Sequence, residues 1–249
     1  MTPSVLVVAM TCTGAVRRTN EDRVGVFGWL APVGMGAPTG MRRAATEPLV
    51  VAVADGLGGH AAGEVASRRA VTALMDDPRS LVDERALLGR YLDVHTSLLA
   101  SGRDHPEQRG MATTLASVVV LPDTVLVCNV GDSRVYYVEP GYVEQLTVDD
   151  VDPMGSGALV QVLGGLHDSP AEPRVSSLPL TTDIRLLLCS DGLHGSLPTD
   201  VLRSSVVDQD PYAAVTALHE AAHRAGAPDN ISLCLVHITL PTPAEDDRD

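Results

Sequence analysis

The sequence predicts an α+β fold with antiparallel sheets, and two patterns support this prediction. Apolar runs of strand length recur along the chain, and in its middle part turn signals separate them at a spacing that favours antiparallel neighbours over strands joined through helices. Segments with helical periodicity lie between groups of strands. With 249 residues, 45% of them hydrophobic, the chain suits one large domain. We expect that domain to span residues 1–240, followed by an acidic tail at 241–249.

The N-terminal part of the chain is predicted to contain strands and one long loop. A first strand is predicted at 4–10, a polar turn at 14–22 and a second short strand at 23–27. Residues 28–47 are rich in Gly, Pro and Ala, so we expect them to form a loop. The uninterrupted apolar run at 49–54 predicts a buried strand.

Two packing helices are predicted next, at 63–76 and 83–100, because apolar side chains recur along one face of each. Three strands follow them, at residues 113–121, 124–130 and 134–139. Turn dipeptides separate these strands, which favours an antiparallel meander. Residues 148–178 show little periodicity and resemble a linker. The last predicted elements are a strand from Ile184, a short helix after Pro198, a helix from Pro211 and a closing strand from Ile231.

The charged residues of the chain exclude several classes of partner and of reaction mechanism. The formal net charge is -14 and the pI is about 4.8, so nucleic acid backbones and anionic membrane surfaces repel it. All 18 basic residues are arginine, and the absence of lysine excludes mechanisms that need a catalytic amine. No apolar run approaches the roughly 20 residues of a membrane-spanning helix, and the segment at 5–10 is too short for a signal core. We therefore expect a cytoplasmic protein that binds neither nucleic acid nor membrane.

The cysteines give no sign of a disulfide framework. Cys12, Cys128, Cys189 and Cys234 are far apart and lack any Cys-x-x-Cys spacing. Three of them lie inside apolar strands. We therefore expect reduced core thiols rather than a zinc site or a disulfide.

Four aspartates lie at the ends of predicted strands. Asp55, Asp132 and Asp191 each follow a strand, and Asp229 comes just before the last one. Carboxylates gathered at strand ends repel one another unless cations hold them. Each motif is weak by itself, because Asp-Gly is a common turn dipeptide.

These acids belong to an ordered set of motifs that covers nearly the whole chain. The motifs are Gly14-x-x-Arg17-x-x-Asn20-Glu21-Asp22, Asp55-Gly56-x-Gly58-Gly59-His60-x-x-Gly63-Glu64, Gly110-Met111-Ala112-Thr113-Thr114-Leu115, Gly131-Asp132-Ser133-Arg134, Ser190-Asp191-Gly192 and Asp229-Asn230. In residue types and order, the set resembles the PPM family of metal-dependent serine/threonine protein phosphatases, the type 2C group. Leu57 stands where many members outside bacteria carry a histidine, so the resemblance is to bacterial members.

The resemblance implies a four-layer α/β/β/α sandwich, in which helices cover the outer faces of two central antiparallel sheets. It also implies two Mn²⁺ or Mg²⁺ ions, bridged by one carboxylate. The implied protein ligands are the bridging carboxylate of Asp55, the carbonyl oxygen of Gly56 and the carboxylates of Asp191 and Asp229. Glu21 and Asp22 would hold coordinated waters. Such oxygen ligands suit hard cations, and a metal pair can activate water for an in-line phosphoryl displacement.

Two further residues matter for the chemistry that the resemblance implies. Arg17 matches the phosphate-binding arginine of the family, and a planar guanidinium can bind two phosphate oxygens at once, whereas Arg18 does not fit the motif register. His60 could donate a proton to the leaving oxygen, or it could be a turn residue that hydrogen-bonds the backbone. Because Leu57 cannot transfer protons, metal-bound water is the default proton donor.

The chain departs from the family pattern in two places. Asp132 corresponds to a ligand of a third metal, but Gly195 stands where the family usually carries its partner acid, so we expect only two tightly held metals. The segment between Thr147 and Val162 looks shorter than the family's flap, and Asp150 replaces a histidine often found after the Leu-Thr pair. We therefore expect substrate docking to differ. Ser133 and Arg134 are interpreted as structural anchors of a strand end.

The function that we expect is hydrolysis of phosphoserine and phosphothreonine on proteins, the targets of serine/threonine kinases, by a monomer. Two alternatives remain open. A non-catalytic phosphoprotein-binding relative would keep the fold with a broken metal site, and the intact Asp55, Asp191 and Asp229 argue against it. A phosphatase of small phosphoesters would share these carboxylates, and turnover on phosphoproteins and metabolites distinguishes it.

Overall fold

The computed structural model describes residues 2–57, 62–166 and 170–241, and within these ranges the chain forms fifteen strands and five α-helices. The strands are β1 (Ser4–Cys12), β2 (Arg23–Val26), β3 (Trp29–Leu30), β4 (Thr39–Ala44), β5 (Leu49–Ala54), β6 (Gly56–Leu57), β7 (Ala112–Thr113), β8 (Leu115–Val120), β9 (Thr124–Val130), β10 (Arg134–Glu139), β11 (Tyr142–Gln145), β12 (Leu163–Gly164), β13 (Arg174–Pro179), β14 (Ile184–Cys189) and β15 (Ile231–Thr239). The helices are α1 (Ala62–Met75), α2 (Glu84–Asp104), α3 (Asp191–His194), α4 (Thr199–Val206) and α5 (Pro211–Arg224). Nearly all of the predicted tail lies outside the described residues.

Twelve of these strands form two six-stranded sheets in which every pairing is antiparallel. The order in the first sheet is β11-β10-β14-β15-β1-β4, and the order in the second is β13-β9-β8-β5-β2-β3. A small third sheet, β12-β7-β6, extends the ends of β5 and β8. This extension lies where the chain leaves β5 through Asp55.

The alternation of side chains along β5 shows how the layers stack. Val51 and Val53 belong to the core between the two large sheets, whereas Val50 and Ala52 pack with α1 and α2 on the other side. Helix α5 covers the first sheet by packing on β15 and β1, and α4 packs against α5. Two helical layers therefore enclose two antiparallel sheets, which confirms the predicted α+β sandwich.

The predicted helices and most strands are confirmed to within a few residues at their ends. The N-terminal caps agree with the sequence: the Asp83 carboxylate accepts a hydrogen bond from Ala86 N, and Asp210 caps α5, in which Pro211 is the first residue. All four cysteines are free, and Cys12 differs from the three buried ones because it is only half-buried. Among the described helices, none is long and apolar enough to cross a membrane.

Two predicted connections are wrong because they contain strands. The expected loop at 28–47 includes β3 and β4, and β4 extends the first sheet by pairing with β1. The expected linker at 148–178 includes β12 and all but the last residue of β13, which pairs with β9. Both β4 and β13 are edge strands with largely exposed side chains, so they lack the apolar pattern that reveals a half-buried strand.

The predicted three-stranded meander is also wrong in its last step. β8 and β9 pair as expected, but β10 crosses to the first sheet and pairs with β14 and β11. The chain changes sheets at Gly131, whose φ of 93° is open to glycine, and a Cβ there would lie 2.7 Å from Thr114 Cγ2. The turn dipeptide in the sequence therefore marks a change of sheet and not a hairpin.

Candidate metal centre

Four of the predicted acids, Glu21, Asp55, Asp191 and Asp229, meet in a cleft of about 530 Å³ at one end of the two large sheets, which we call the acidic cleft. Its lining residues are Arg17, Arg18, Thr19, Glu21, Asp55, Gly56, Leu57, Asp191, Asp229 and Asn230. A larger cleft, of about 720 Å³, lies at the opposite end of β14, beside Arg185. Two of its acids, Asp183 and Asp210, already accept hydrogen bonds from backbone N–H groups. The larger cleft is therefore a weaker candidate for chemistry.

Two threonines fix the position of Asp55 at the end of β5. The Asp55 backbone N–H donates to Thr114 Oγ1 at 2.9 Å, and Thr113 Oγ1 donates to the Asp55 carbonyl oxygen at 2.8 Å. The next residue, Gly56, is packed so closely that a Cβ would lie 2.2 Å from the Gly63 carbonyl oxygen. The strand end is therefore held rigidly, and only glycine fits beside the aspartate.

A buried polar network supports the floor of the acidic cleft. Ser190 Oγ, just before Asp191, donates to Asp22 Oδ2 at 2.7 Å and accepts from Ser232 N at 3.1 Å. The hydroxyls of Ser232 and Thr11 are 2.7 Å apart, and Asn20 Nδ2 donates to Thr11 Oγ1 at 2.8 Å. The network ties β1, β15 and the residues preceding β2 and α3 into one unit.

The carboxylates themselves are incompletely satisfied. In the described part of the chain, Asp22 Oδ1 and Asp191 Oδ1 are buried and accept no hydrogen bond. The pKa of Asp22 is raised to about 7, first by burial and also by the charges of Asp191 and Asp229, while Ser190 and Ser232 act in the opposite direction. Burial also raises the pKa of Asp55 well above its ordinary value, with Asp22 and Asp191 adding to the effect. A divalent cation would give the unpaired oxygens a ligand bond and would neutralise the repulsion between the carboxylates. The residues therefore fit a metal centre.

Asn230 connects the loop at 13–21 to the cleft. Its Oδ1 accepts from Glu21 N at 2.8 Å, and its Nδ2 donates to the carbonyl oxygens of Thr13 and Thr19, both at 2.9 Å. Gly14 has a φ of 75°, and a Cβ there would lie 2.1 Å from the Asp229 carbonyl oxygen. The loop therefore runs in direct contact with the strand start that carries Asp229.

Arg17 projects from this loop at the mouth of the cleft. Its Nη2 lies 2.7 Å from Asp229 Oδ2, and its side chain is 58% exposed. This hydrogen bond raises the pKa of Arg17, and the charges of Asp55 and Asp191 also contribute. Arg18 lines the same cleft. The structure thus brings Arg17 to the acids, as the motif register predicts, and leaves its guanidinium accessible from solvent.

Asp132 lies near the acidic cleft without a carboxylate partner at position 195. Burial raises the pKa of Asp132 to about 6, and Asp191 adds to the shift. His194 Nε2 donates to the Asp132 carbonyl oxygen at 3.0 Å. A Cβ on Gly195 would lie 2.8 Å from the Asp191 carbonyl oxygen, so there is little room for a side chain at this position.

The residues beside Asp132 anchor the strand end. Arg134 forms a two-pronged ion pair with Asp149, and Ser133 Oγ lies 2.7 Å from Thr114 Oγ1. Asp150 is buried, where it accepts from Gly131 N at 2.9 Å and pairs with Arg174. These contacts agree with the structural interpretation of Ser133 and Arg134, and they make Asp150 an anchor for the segment between Thr147 and Val162.

Part of the site was not predicted from the sequence. His60, for which both a proton-donor role and a turn role were open, lies outside the described residues, while Leu57 lines the cleft. No specific role was predicted for the residues that hold the acids in place, which are Thr11, Thr113, Thr114, Ser190, Asn230 and Ser232. Their position in the sequence could have revealed them, because most of them lie inside the recognised motifs or directly beside them.

A sandwich that gathers carboxylates at one edge, with an arginine at the mouth, can bind divalent cations together with a phosphate group. Comparison with known proteins agrees with this geometry. The family model "Protein phosphatase 2C" matches residues 39–232. The chain therefore belongs to the protein phosphatase 2C family.

Individual relatives are bacterial. The chain is 30% identical over 259 residues to the serine/threonine phosphatase Stp of Listeria welshimeri, with 92% of this chain and 94% of the relative covered. It is 29% identical over 206 residues to the serine/threonine protein phosphatase PstP of Mycobacterium tuberculosis, which covers 76% of this chain but only 40% of that relative. The chain therefore spans less than half the length of the mycobacterial protein.

Solved structures show the same fold. The catalytic domain of the serine/threonine protein phosphatase PstP, in complex with two manganese ions, superposes with a TM-score of 0.77 at 26% identity, and the match covers 95% of this chain and all of that one. A bacterial serine phosphatase gives a TM-score of 0.78 at 25% identity, over 95% of this chain and 99% of the other.

Proposed function

We propose that the protein is a metal-dependent phosphatase that hydrolyses phosphoserine and phosphothreonine on other proteins. The observation that carries this proposal is the convergence of Asp55, Asp191 and Asp229 in one cleft. Within the described residues, the buried oxygens Asp191 Oδ1 and Asp22 Oδ1 accept no hydrogen bond. Membership of the protein phosphatase 2C family and the names of the bacterial relatives support the same activity.

The acidic cleft would hold two divalent cations through oxygen atoms alone. We assign the carboxylates of Asp55, Asp191 and Asp229 and the carbonyl oxygen of Gly56 as ligands, which suits Mn²⁺ or Mg²⁺. Glu21 and Asp22 would orient coordinated waters, and the pKa of Glu21 is raised, first by its burial. Such a metal pair, when bound, supplies Lewis acidity and a water nucleophile that is active at neutral pH.

The protein's own residues then position the substrate and hold the charges apart. Arg17 would bind the phosphate with its guanidinium, since it already forms a hydrogen bond with one carboxylate of the cleft and remains exposed to solvent. Thr113 and Thr114 keep the backbone of Asp55 fixed, so that its carboxylate needs little reorganisation when charge develops nearby. Leu57 lines the cleft and cannot transfer a proton, so a side-chain proton donor would have to come from elsewhere, with His60 as our candidate.

Our proposals on substrates, oligomeric state, location and the third metal rest on the sequence. We propose that the substrates are targets of serine/threonine kinases, that the protein acts as a monomer in the cytoplasm, and that it holds no tightly bound third metal. The absence of a carboxylate at Gly195 and the contact of that position with the Asp191 carbonyl oxygen support the last point.

Phosphate release from a phosphothreonine peptide tests the proposed function. The protein is freed of metal with a chelator and then assayed with Mn²⁺, with Mg²⁺ and without added metal. We expect activity only after a metal is restored, and a higher kcat/KM for the peptide than for small phosphoesters. Activity that survives in chelator would contradict the metal-dependent mechanism, and a preference for small phosphoesters would contradict the proposed substrate.

A further inference from the structure

A second group of potential metal ligands lies on the outer face of the first sheet, beneath α5. It consists of Cys12, His219 and His223, which we call the Cys–His cluster. Cys12 is the last residue of β1, and the two histidines are one turn apart on α5, which packs on β1. Residues four apart on a helix face the same side, the arrangement that lets two histidines bind one ion.

The distances within the cluster match those of a single bound ion. Cys12 Sγ lies 3.4 Å from His219 Nε2 and 3.8 Å from His223 Nε2, and the potential ligand atoms all lie within 4.8 Å of one another. Tetrahedral zinc, with bonds of about 2.3 Å to sulfur and about 2.0 Å to nitrogen, places these two ligand atoms about 3.5 Å apart. Among the described residues, no other three side chains of the metal-binding types gather so closely.

Hydrogen bonds within the cluster engage both histidines only weakly. The Cys12 thiol can donate its proton to one Nε2 and accept a hydrogen bond from the other, and sulfur is a weak partner in both roles. The two imidazole rings meet edge to face with their centroids 4.5 Å apart. A cation at the centre would use all three atoms at once.

The surroundings of the cluster suit a soft or borderline cation. Cys12 and His219 are half-buried and His223 is exposed, so an ion can enter from solvent. Burial lowers the pKa of His219, and His223 contributes to the shift, which favours the neutral imidazole that metals bind. Burial raises the pKa of Cys12, so the thiol keeps its proton until a cation displaces it.

We propose that Cys12, His219 and His223 form a binding site for one Zn²⁺ ion, with a water molecule as the fourth ligand. Sulfur and nitrogen ligands select zinc and its neighbours, whereas Mg²⁺ and Mn²⁺ prefer the oxygen atoms of the acidic cleft. Binding releases the Sγ proton of Cys12 to solvent and leaves a thiolate on the metal. The ion ties the end of β1 to α5, just before the loop that carries Arg17.

Cobalt is the probe for this site, because Co²⁺ bound to a thiolate absorbs in the near ultraviolet and Co²⁺ bound only to oxygen does not. Tag-free protein in excess Mg²⁺ is titrated with Co²⁺ and monitored by absorbance. We expect one equivalent of Co²⁺ to produce the sulfur-to-cobalt band, and Zn²⁺ to abolish it. No other cysteine can produce this signal at the surface, because Cys128, Cys189 and Cys234 are buried.

Three variants complete the test. Cys12→Ser should remove the band, and His223→Ala should weaken Co²⁺ binding by at least about tenfold. His105→Ala, which changes a histidine outside the cluster, should leave binding unchanged, and thermal unfolding checks that each variant is folded. The absence of the band in the wild-type protein, its survival in Cys12→Ser, or unchanged affinity in the exposed-site variant His223→Ala would overturn the proposal.

Discussion

The acidic cleft and the Cys–His cluster are close together, because Cys12 at the end of β1 pairs with Ile231 at the start of β15, two residues after Asp229. They are built in opposite ways. The cleft has a volume of about 530 Å³ and gathers carboxylates at strand ends. Among the described residues, Asp191 Oδ1 in the cleft and Asp22 Oδ1 are buried without a hydrogen bond. The cluster is compact, with one thiol and two imidazoles within 4.8 Å of one another. Oxygen ligands around a wide cleft suit a pair of hard cations with their waters, and a compact sulfur and nitrogen set suits a single ion.

The two sites also differ in how firmly other residues hold the side chains, and this difference distinguishes a reaction centre from a site that only links two elements. Hydroxyl and amide groups from several elements hold the acids in place, as Thr114 does for Asp55 and Ser190 for Asp22. The three members of the Cys–His cluster are placed by one strand end and one helix turn. We therefore expect substitutions in the cleft to change catalysis, and substitutions in the cluster to change zinc binding without changing catalysis.

The largest expected effect comes from removing a carboxylate of the acidic cleft. Asp191→Asn should lower kcat/KM for a phosphothreonine peptide by more than about 100-fold, because it withdraws a charged metal ligand. Cys12→Ser should leave kcat/KM within about twofold of the wild type, since no ligand of the cleft is lost. Asp200→Asn, at an exposed position in the first turn of α4, is the control for loss of one negative charge. Equal losses in Asp191→Asn and Cys12→Ser would mean that the two regions are not separate.

The two neighbouring arginines provide a matched pair within the cleft. Arg17→Ala should reduce kcat/KM by about 10- to 100-fold, the scale of a lost charged hydrogen bond to phosphate. Arg18→Ala should have a much smaller effect, because Arg17, unlike Arg18, has a hydrogen bond to an acid among the described residues. Steady-state kinetics on the same peptide compares them. Equal losses would remove Arg17 from its proposed role.

A smaller effect is expected from the hydroxyl that holds Asp55. Thr114→Val keeps the shape of the side chain but removes its hydrogen bonds with Asp55 N and the Ser133 hydroxyl, so we expect about a tenfold loss of kcat. Thr124→Val removes a threonine hydrogen bond to the Leu178 carbonyl oxygen, far from the cleft, and should leave kcat unchanged. If both variants lose only stability, Thr114 does not position Asp55 for catalysis.

The subtlest effect is on stability, through the raised pKa values of Asp22 and Asp55. A carboxyl group whose folded pKa is above its unfolded value stabilises the folded protein at low pH, and this contribution is lost as the pH rises through the folded pKa. The metal-free protein should therefore lose stability between about pH 4 and pH 7, given the pKa of about 7 for Asp22. Cations relieve this repulsion, so metal binding should stabilise the protein more at higher pH.

Thermal unfolding with chelator and with Mn²⁺, at pH 5.5 and pH 7.5, measures this coupling. The increase in Tm caused by Mn²⁺ should be larger at pH 7.5 by about 3 °C or more, the shift that roughly 1 kcal/mol produces in a domain of this size. Asp22→Asn should reduce the difference. Identical Mn²⁺ effects at both pH values, in wild type and variant alike, would show that the acids are not coupled to the metal.

The acidic cleft could be predicted from the sequence because its proposed ligands lie in local motifs at strand ends. Asp55, Asp191 and Asp229 each stand beside a recognisable apolar run, and the structure brings all three to the same cleft. The edge strands β4 and β13 could not be predicted in the same way, because backbone pairing and not an apolar face holds them in the sheets. Nor did the dipeptide at Gly131 reveal that β10 changes sheets.

The Cys–His cluster shows a different limit. Cys12 and His219 are more than 200 positions apart, and no short motif contains both. The spacing of His219 and His223 was visible in the sequence, but a helix with two histidines on one face becomes informative only when its neighbour is known. That neighbour is set by the order of β15 and β1 in the first sheet.

Crystals soaked in Mn²⁺ provide the most direct test of the central claim that the acidic cleft is an oxygen-ligated metal centre. Anomalous diffraction measured at the manganese absorption edge should show two peaks among Asp55, Asp191 and Asp229, and no comparably occupied peak beside Asp132. The Asp191→Asn protein, soaked in the same way, should lose at least one of the two. The account would be contradicted if wild-type crystals showed no manganese at Asp55, or if the wild-type and Asp191→Asn crystals showed the same two peaks.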